Sequence, residues 1–259
     1  MTADDLLAAL SLPAGTIVDQ KVSKKLLIEN GAPTAADKRA INEGVEECRW
    51  IAALKPNTVG IPEYRDADRD YLEVHVLRVD LRPEAKNHRL IELVHRAIPY
   101  PLVLVHSAPA SVGISTAHKR KSLGEADRVV LDGVPAIAEP LAPPFQAFAE
   151  PFRQALTLAK QPQGTLLKLY GGWCDTILAL HAARRTGRFI VTATPEESAA
   201  RREALQRCAA IEADMARIRA AATRETQVAK QAELNLQLQR ARRELEAILQ
   251  SLVEHAPGR

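Results

Sequence analysis

The densest cluster of basic side chains is the run His118, Lys119, Arg120 and Lys121. Three or four neighbouring cations can bind a few phosphates of a nucleic-acid backbone. We therefore predict a DNA-backbone contact at this run. The alternative is a solvated loop, because a charge cluster alone is an unspecific signal.

Acidic side chains near a predicted strand suggest a second chemistry, metal-dependent cleavage of DNA. A restriction-type nuclease needs an acid and then Glu/Asp-x-Lys on a neighbouring strand, so that carboxylates hold a metal and the lysine assists the attacking water. The nearest strings are Glu73-Val74-His75 and Asp80-Leu81-Arg82, and neither contains the lysine. Glu73 and Asp80 are therefore remote metal candidates, and the alternative is that such acids are strand-end and loop charges.

Motifs for other chemistries are missing from the sequence. It contains no GxSxG nucleophile elbow, no GxGxxG and no P-loop, which are the usual signatures of these sites. His88 and His95 lie seven positions apart on one predicted helix, which is weak evidence for a metal without a third ligand. The three cysteines lack zinc-finger spacing and are expected to be small buried residues. The motifs thus predict no catalytic residue, metal or cofactor.

Composition excludes several protein classes. Of the 259 residues, 46% are hydrophobic and 26% are charged, as in an ordinary soluble globular protein of one or two domains. The net charge of +3 requires neither nucleic acid nor an anionic membrane as a partner. The N-terminus is acidic, unlike a signal peptide, and no apolar run is long enough to cross a bilayer. We therefore expect a cytoplasmic protein with no membrane partner.

Glycine and proline positions divide the chain into residues 1–134, 135–194 and 195–259. The first zone alternates helix and strand patterns and predicts an α+β core, a small mixed sheet with helices on one face. Its expected helices include residues 35–48, capped by Thr34. The second zone is a proline-rich connection followed by an amphipathic helix at residues 164–185, which we expect to pack on the core.

The third zone predicts a C-terminal α-helical coiled-coil arm. Its apolar residues follow heptad spacing in two runs that are out of phase: Ala204, Cys208, Ile211, Met215, Ile218 and Ala222, then Leu234, Leu238, Ala241, Leu245, Ile248 and Leu252. The phase change indicates either one long helix that slips register or an antiparallel helical hairpin. We favour the hairpin, although residues 222–228 offer no Gly, Asn or Asp for a turn.

The arm is also the segment best suited to bind a partner protein. Its acids and bases are roughly balanced, which favours helix-to-helix docking over wrapping of DNA. Polar residues near the phase change, with one core leucine, are the candidates for partner binding: Glu225, Gln227, Glu233, Asn235 and Leu238. The alternative is an arm that only packs on its own domain.

Five strings occur together in the order of a known family. They are VSKKLLIENG at 22–31, LIELVHRAIPYPLVLV at 90–105, STAHKRKS at 115–122, LYGGWCDTILALHAARRTGRF at 169–189 and RETQVAKQAELNLQLQRARREL at 224–245. On these strings the chain resembles the bacterial family catalogued as domain of unknown function 4391, over nearly its whole length. The resemblance implies a context: such proteins look like companions of helicases and DNA methyltransferases in restriction-like, anti-phage gene clusters.

Three hypotheses follow from the residues and the resemblance together. The first is a non-enzymatic accessory subunit of a restriction-like anti-phage defence complex, with the helical arm docking a helicase or a DNA methyltransferase. The alternative is a DNA-contacting or metal-dependent nuclease subunit of the same type of system. The third is a homodimer built by the arm alone.

Overall fold

The computed structural model describes residues 2–83, 85–109, 111–125, 128–140 and 145–254. The chain separates into two compact units, Met1–Leu180 and His181–Arg259. Unit 1 combines a mixed sheet with helices and unit 2 is helical, so the predicted α+β class is confirmed. The finer division after residues 134 and 194 stays a prediction.

The described part of unit 1 contains short helices interspersed with strands. The helices are α1 (Ala3–Ala9), α2 (Lys24–Gly31), α3 (Ala35–Gly44), α4 (Pro56–Val59), α5 (Asn87–Ala97), α6 (Ala149–Ala155) and α7 (Leu166–Thr186), whose last turn enters unit 2. The strands are β1 (Ile17–Lys21), β2 (Val45–Leu54), β3 (Tyr64–Arg65), β4 (Asp70–Tyr71), β5 (Val74–Leu81), β6 (Leu102–Ala108), β7 (Ser111–Ala117), β8 (Lys119–Lys121), β9 (Val129–Leu131) and β10 (Ala136–Ala138).

Six strands form one mixed sheet in the order β1-β2-β5-β6-β7-β10. Neighbouring strands in it are antiparallel except β5 and β6, which are parallel and are connected through α5. A parallel pair needs such a crossover, because a tight turn cannot return the chain to the starting end of the sheet. The pairs β3–β4 and β8–β9 form two separate ribbons.

Helices flank both faces of this sheet. Buried residues of one face join α2, α3 and α5 in a single apolar cluster that includes Leu27, Ile41, Leu77, Val79, Leu90, Val94 and Leu104. Because side chains alternate between faces along a strand, Arg78 and Asp80 lie on the opposite face from Leu77 and Val79. Asp4 of α1 contacts Arg78, so α1 lies on that second face. The sequence predicted helices on one face only.

The helix that follows Thr34 is shorter than predicted. The Thr34 hydroxyl accepts the backbone N–H of Asp37 at 3.1 Å, as expected of an N-cap. However, α3 ends at Gly44, and β2 begins at the next residue. Cys48, placed in the helix by the sequence pattern, pairs with Val79 of β5 instead. Pairing within the sheet thus overrides the local helical propensity of this acidic segment.

The predicted amphipathic helix is α7, and a buried tyrosine ties it to the sheet. The Tyr170 hydroxyl accepts the N–H of Ala117 at 2.8 Å and lies 2.9 Å from the carbonyl oxygen of Leu102. These contacts join α7 to the ends of β7 and β6. The helix terminates at Gly187, whose φ of 72° is the left-handed conformation that glycine adopts at no steric cost.

Unit 2 contains α8 (Pro195–Arg224) and α9 (Val228–Glu254), which form an antiparallel hairpin. The Arg207 guanidinium of α8 lies 3.3 Å from the Glu244 carboxylate of α9, whereas Gln231 near the start of α9 reaches the carbonyl oxygen of Ala222. Every residue of the two predicted seams is buried or half-buried. Among the described residues, no helix is long and apolar enough to span a membrane.

The turn of the hairpin uses a glutamate in place of the expected Gly, Asn or Asp. One Glu225 carboxylate oxygen accepts the backbone N–H groups of Thr226 and Gln227, both at 2.9 Å. These two donors lie immediately before the first turn of α9. Backbone N–H groups at the start of a helix have no partner within the helix. A carboxylate is also favoured there by the helix dipole. Glu225 therefore stabilises both the turn and the start of α9.

Candidate functional site

His118, the first residue of the basic run, connects β7 to the ribbon β8–β9. Its Nδ1 lies 2.8 Å from the Tyr71 hydroxyl oxygen. Its ring packs edge-on against Tyr170, with 5.5 Å between the ring centroids. His118 is thus half-buried among aromatic side chains of β4 and α7.

Lys119 points into the protein and is only 3% exposed. Its ammonium group donates hydrogen bonds to the carbonyl oxygens of His95 and Ile98, at the C-terminal end of α5. The last carbonyls of a helix lack intrahelical donors and carry the negative end of the dipole, so a cation is favoured there. Burial lowers the pKa of Lys119 to about 7. Lys119 thus caps α5.

Arg120 and Lys121 are half-exposed and also contact neighbouring groups. Arg120 donates to the carbonyl oxygen of Lys121 at 3.1 Å. The Lys121 ammonium lies 3.1 Å from the Asp70 carboxylate and donates to the carbonyl oxygen of Asp66 at 3.0 Å. These bonds join the ribbon β8–β9 to the ribbon β3–β4. A DNA-backbone contact at this run stays a prediction, and Arg120 and Lys121 are its accessible members.

Glu73 and Asp80, the remote metal candidates, lie at opposite ends of β5. Seven positions of extended chain separate them by about 23 Å. Side chains of this length cannot bridge that distance to a shared ion. The two carboxylates therefore belong to different environments and cannot form one metal site together.

Glu73 belongs to a cluster with Lys55 and His75. Its carboxylate oxygens lie 3.3 Å from the Lys55 ammonium and 2.9 Å from Nε2 of His75. The His75 ring is buried between Trp50 and Tyr100, at centroid distances of 4.4 and 4.1 Å. Burial lowers the pKa of His75 to about 4, although the Glu73 carboxylate acts in the opposite direction. His75 is therefore a neutral packing group at pH 7.

Asp80 lies at the carboxyl ends of the parallel strands β5 and β6, the place where open α/β sheets commonly bind ligands. Its carboxylate accepts hydrogen bonds from the Ser107 hydroxyl and from Nε of Arg78, the latter at 3.0 Å. Arg78 also reaches Asp4 at 2.8 Å. Glu47 of β2 is the cross-strand neighbour of Asp80 and projects from the same face. The arrangement therefore places two carboxylates on adjacent strands.

Sequence reasoning missed Glu47, Arg78 and Ser107 as neighbours of Asp80. They come from β2, β5 and β6, and their proximity depends on strand register, which local spacing does not contain. One signal was available, because Arg78 and Asp80 alternate with apolar residues along one strand. That alternation indicates a polar patch on a sheet face but does not indicate what faces it.

The five predicted partner-binding residues lie in different environments. Glu225 and Gln227 form the hairpin turn, and Leu238 is buried in the seam with 7% exposure. Glu233 and Asn235 are exposed on α9. Partner binding by these residues stays a prediction, and Glu233 and Asn235 are the ones that a partner can reach without opening the hairpin.

Within the described ranges, no group of three or more His, Cys, Asp or Glu side chains is placed to hold a metal ion. The three cysteines are buried thiols, as the sequence predicts. Burial raises the pKa of the Cys48 thiol to about 12. Since the thiolate is the reactive form of cysteine, Cys48 is unreactive at neutral pH.

Fold and site together define an α+β protein with a six-stranded mixed sheet and a C-terminal helical hairpin. The family described as Domain of unknown function (DUF4391) matches residues 10–245. The chain therefore belongs to this family, which confirms the resemblance found in the sequence. No curated protein and no solved structure matches the chain.

Proposed function

We propose that the protein is a non-enzymatic accessory subunit of a restriction-like anti-phage defence complex, in which the hairpin docks a helicase or a DNA methyltransferase. The family resemblance supports the type of partner. One structural observation supports the docking surface. The helix α9 bears an apolar stripe in addition to the seam that packs on α8.

This tip stripe consists of Val228, Ala232 and Leu236, all exposed near the turn of the hairpin. The exposed fractions are 80% for Val228 and 55% for Leu236. Residues spaced four apart lie on one face of a helix. Apolar anchors with this spacing are typical of a helix that lies in the groove of a partner protein.

Co-expression of the tagged chain with the genes that flank its own tests this proposal. The double variant Val228→Lys and Leu236→Lys replaces two exposed anchors and leaves the seam unchanged. We expect a helicase or a DNA methyltransferase to co-purify with the wild type. Recovery should fall at least about tenfold in the double variant, because a few anchor residues supply most of an interface's binding energy.

Gln237→Lys is the matched control, since Gln237 adjoins Leu236 in the chain and is also exposed. It adds one lysine outside the tip stripe, against two within the stripe in the double variant, and should retain the partner. Equal recovery with the control and the double variant would contradict docking through the stripe. Recovery that vanishes after nuclease treatment would show that nucleic acid bridges the two proteins.

One observation favours a second candidate, a metal-dependent nuclease subunit. Glu47 and Asp80 project from adjacent strands on one face, and Arg82 follows Asp80 where the restriction-type motif has lysine. Mg²⁺ commonly binds one or two carboxylates and completes its shell with water and substrate phosphates. A pair of carboxylates is therefore compatible with such a site when DNA is bound.

The nuclease candidate predicts cleavage of duplex DNA that requires Mg²⁺ or Mn²⁺ and is lost in Glu47→Gln. Removal of an outer-shell partner of a metal lowers activity roughly 10–100-fold. The loss of cleavage in Glu47→Gln should be larger than that. Asp19→Asn, a variant of an exposed acid on β1, is the control. Cleavage that is unchanged in Glu47→Gln, or that persists in EDTA, would exclude this candidate.

A further inference from the structure

Unit 1 contains a cleft of about 590 Å³ between the C-terminal ends of α2 and α5 and the ribbon β8–β9. Its volume falls within the range of roughly 300–1,000 Å³ that is usual for small-molecule sites. Apolar walls come from Ala32 and Pro33 after α2, from Pro99 after α5 and from Val130 of β9. Asp80 and its neighbours Glu47, Arg78 and Ser107 do not line this cleft.

Lys119 lines this cleft, and its charge lacks a carboxylate partner among the described residues. Buried charges are normally paired, because desolvation of an isolated ion is costly. The two carbonyl oxygens at the end of α5 supply partial compensation only. An ammonium group has three donors, so one N–H remains for a ligand.

Two guanidinium groups also line the cleft. Arg96 and Arg128 have 46% and 59% of their side chains exposed. Arg96 lies 3.0 Å from the Glu92 carboxylate and Arg128 lies 2.6 Å from the Glu125 carboxylate. The five donors of a guanidinium exceed what one carboxylate uses. Three cations thus line the cleft together with two acids, Glu29 and Glu92, and Glu125 pairs with Arg128 from outside the lining. The donors that these ion pairs leave unused favour an anion.

We propose that this cleft binds a phosphomonoester of about nucleotide size, with the phosphate at Lys119, Arg96 and Arg128. Arginine matches phosphate oxygens with paired donors, which favours phosphate over a single carboxylate at such a cluster. The proline and valine walls contact the body of the ligand, and Glu29 offers an acceptor for its hydroxyl or amino groups. A free nucleotide and the 5′-phosphate end of a DNA strand share this chemistry.

Calorimetric titration of the full chain tests the proposal with the four nucleoside 5′-monophosphates and the matching nucleosides. At least one monophosphate should bind more tightly than about 1 mM, and its nucleoside at least about tenfold more weakly, as expected for lost charge-assisted hydrogen bonds. A DNA decamer with and without a 5′-phosphate distinguishes the source. Preference for the phosphorylated decamer over every monophosphate assigns the cleft to strand ends.

Arg128→Gln is the diagnostic variant, because its exposed guanidinium is not needed for the core. It should weaken binding about tenfold without changing the melting temperature. Arg65→Gln removes a guanidinium that is equally exposed, at 59%, but lies outside the cleft, so this variant should bind as the wild type does. Equal weakening by both variants would overturn the proposal. So would the absence of binding by all monophosphates and by the phosphorylated decamer, or equal affinity for nucleosides and nucleotides.

Discussion

Leu238→Asp is expected to unfold the hairpin of unit 2. Leu238 is 7% exposed, and the antiparallel register places it level with Met215, which is 5% exposed. Removal of a buried leucine costs about 2–5 kcal/mol, and an unpaired carboxylate at the same place adds a desolvation penalty. A small helical unit has little stability in reserve, so a cost of this size is enough to unfold it.

Far-ultraviolet circular dichroism measures this result directly. The helices α8 and α9 contain 30 and 27 residues, so their loss removes a large part of the helical signal. Limited trypsin digestion should then cut at the many arginines of α8, which are protected in the wild type by helical structure. Unit 1 should persist as the resistant fragment, since Leu238 lies outside it.

Leu236→Asp is the matched control, with the same change two positions earlier in α9. Leu236 is 55% exposed, so the aspartate remains in water and the seam is intact. We expect unchanged helicity and protease resistance, together with loss of the partner if the tip stripe docks it. If both variants have the same helicity, Leu238 does not hold the two helices together. Partner binding must therefore be tested at Leu236, because loss of binding in Leu238→Asp only reports unfolding.

The hairpin was predictable because its information is local. Heptad spacing within each helix identifies the buried residues, and the phase change between the two seams marks the turn. The turn residue itself was not predictable from composition. Glu225 is not a usual turn residue, and its role depends on a carboxylate that bonds to backbone N–H groups ahead of α9.

The sites in unit 1 were less predictable because they depend on contacts between distant segments. Four consecutive basic residues suggested one exposed surface, yet Lys119 caps α5 and Lys121 binds the ribbon β3–β4. Successive residues of the strand β8 point to opposite faces, so neighbours in the basic run have different surroundings. A three-residue strand gives almost no periodic signal from which this could be predicted. Likewise, the register that joins Glu47 to Asp80 links two strands that are separated in the chain by α4 and the ribbon β3–β4.

Unit 1 is expected to lose stability steeply as the pH falls from about 6.5 to 4.5, between the pKa of unfolded histidine and the lowered pKa values of the buried histidines. His75, His95 and His106 are each fully buried. Burial lowers the pKa of His106 to about 4, with a smaller contribution from His88, and lowers the pKa of His95 well below its usual value. Burial has the same effect on His75, which faces Glu73 and Lys55.

The direction in which the unfolding free energy changes with pH follows from the number of protons that the folded and unfolded states bind. An unfolded histidine has a pKa of about 6.5, so between pH 6.5 and 4 the unfolded chain binds protons that the folded chain excludes. Stability from these groups is therefore complete above pH 6.5 and is lost as the pH falls. Each such histidine changes the free energy of unfolding by up to about 1.4 kcal/mol per pH unit. Urea unfolding at several pH values measures the sum of these slopes.

His106→Leu isolates the contribution of one buried histidine. Both ring nitrogens of His106 lack a hydrogen-bond partner within the described structure, so a leucine of similar volume loses no hydrogen bond. The ring lies against Gly113, where an added Cβ would approach within 2.4 Å, and this close packing keeps water from the imidazole. We expect His106→Leu to retain stability at pH 7 and to reduce the slope below pH 6.5 by about 1 kcal/mol per pH unit. His88→Gln, on the exposed start of α5, should leave most of the slope in place. An unchanged slope in His106→Leu would show that His106 is protonated in the folded state or that water reaches it.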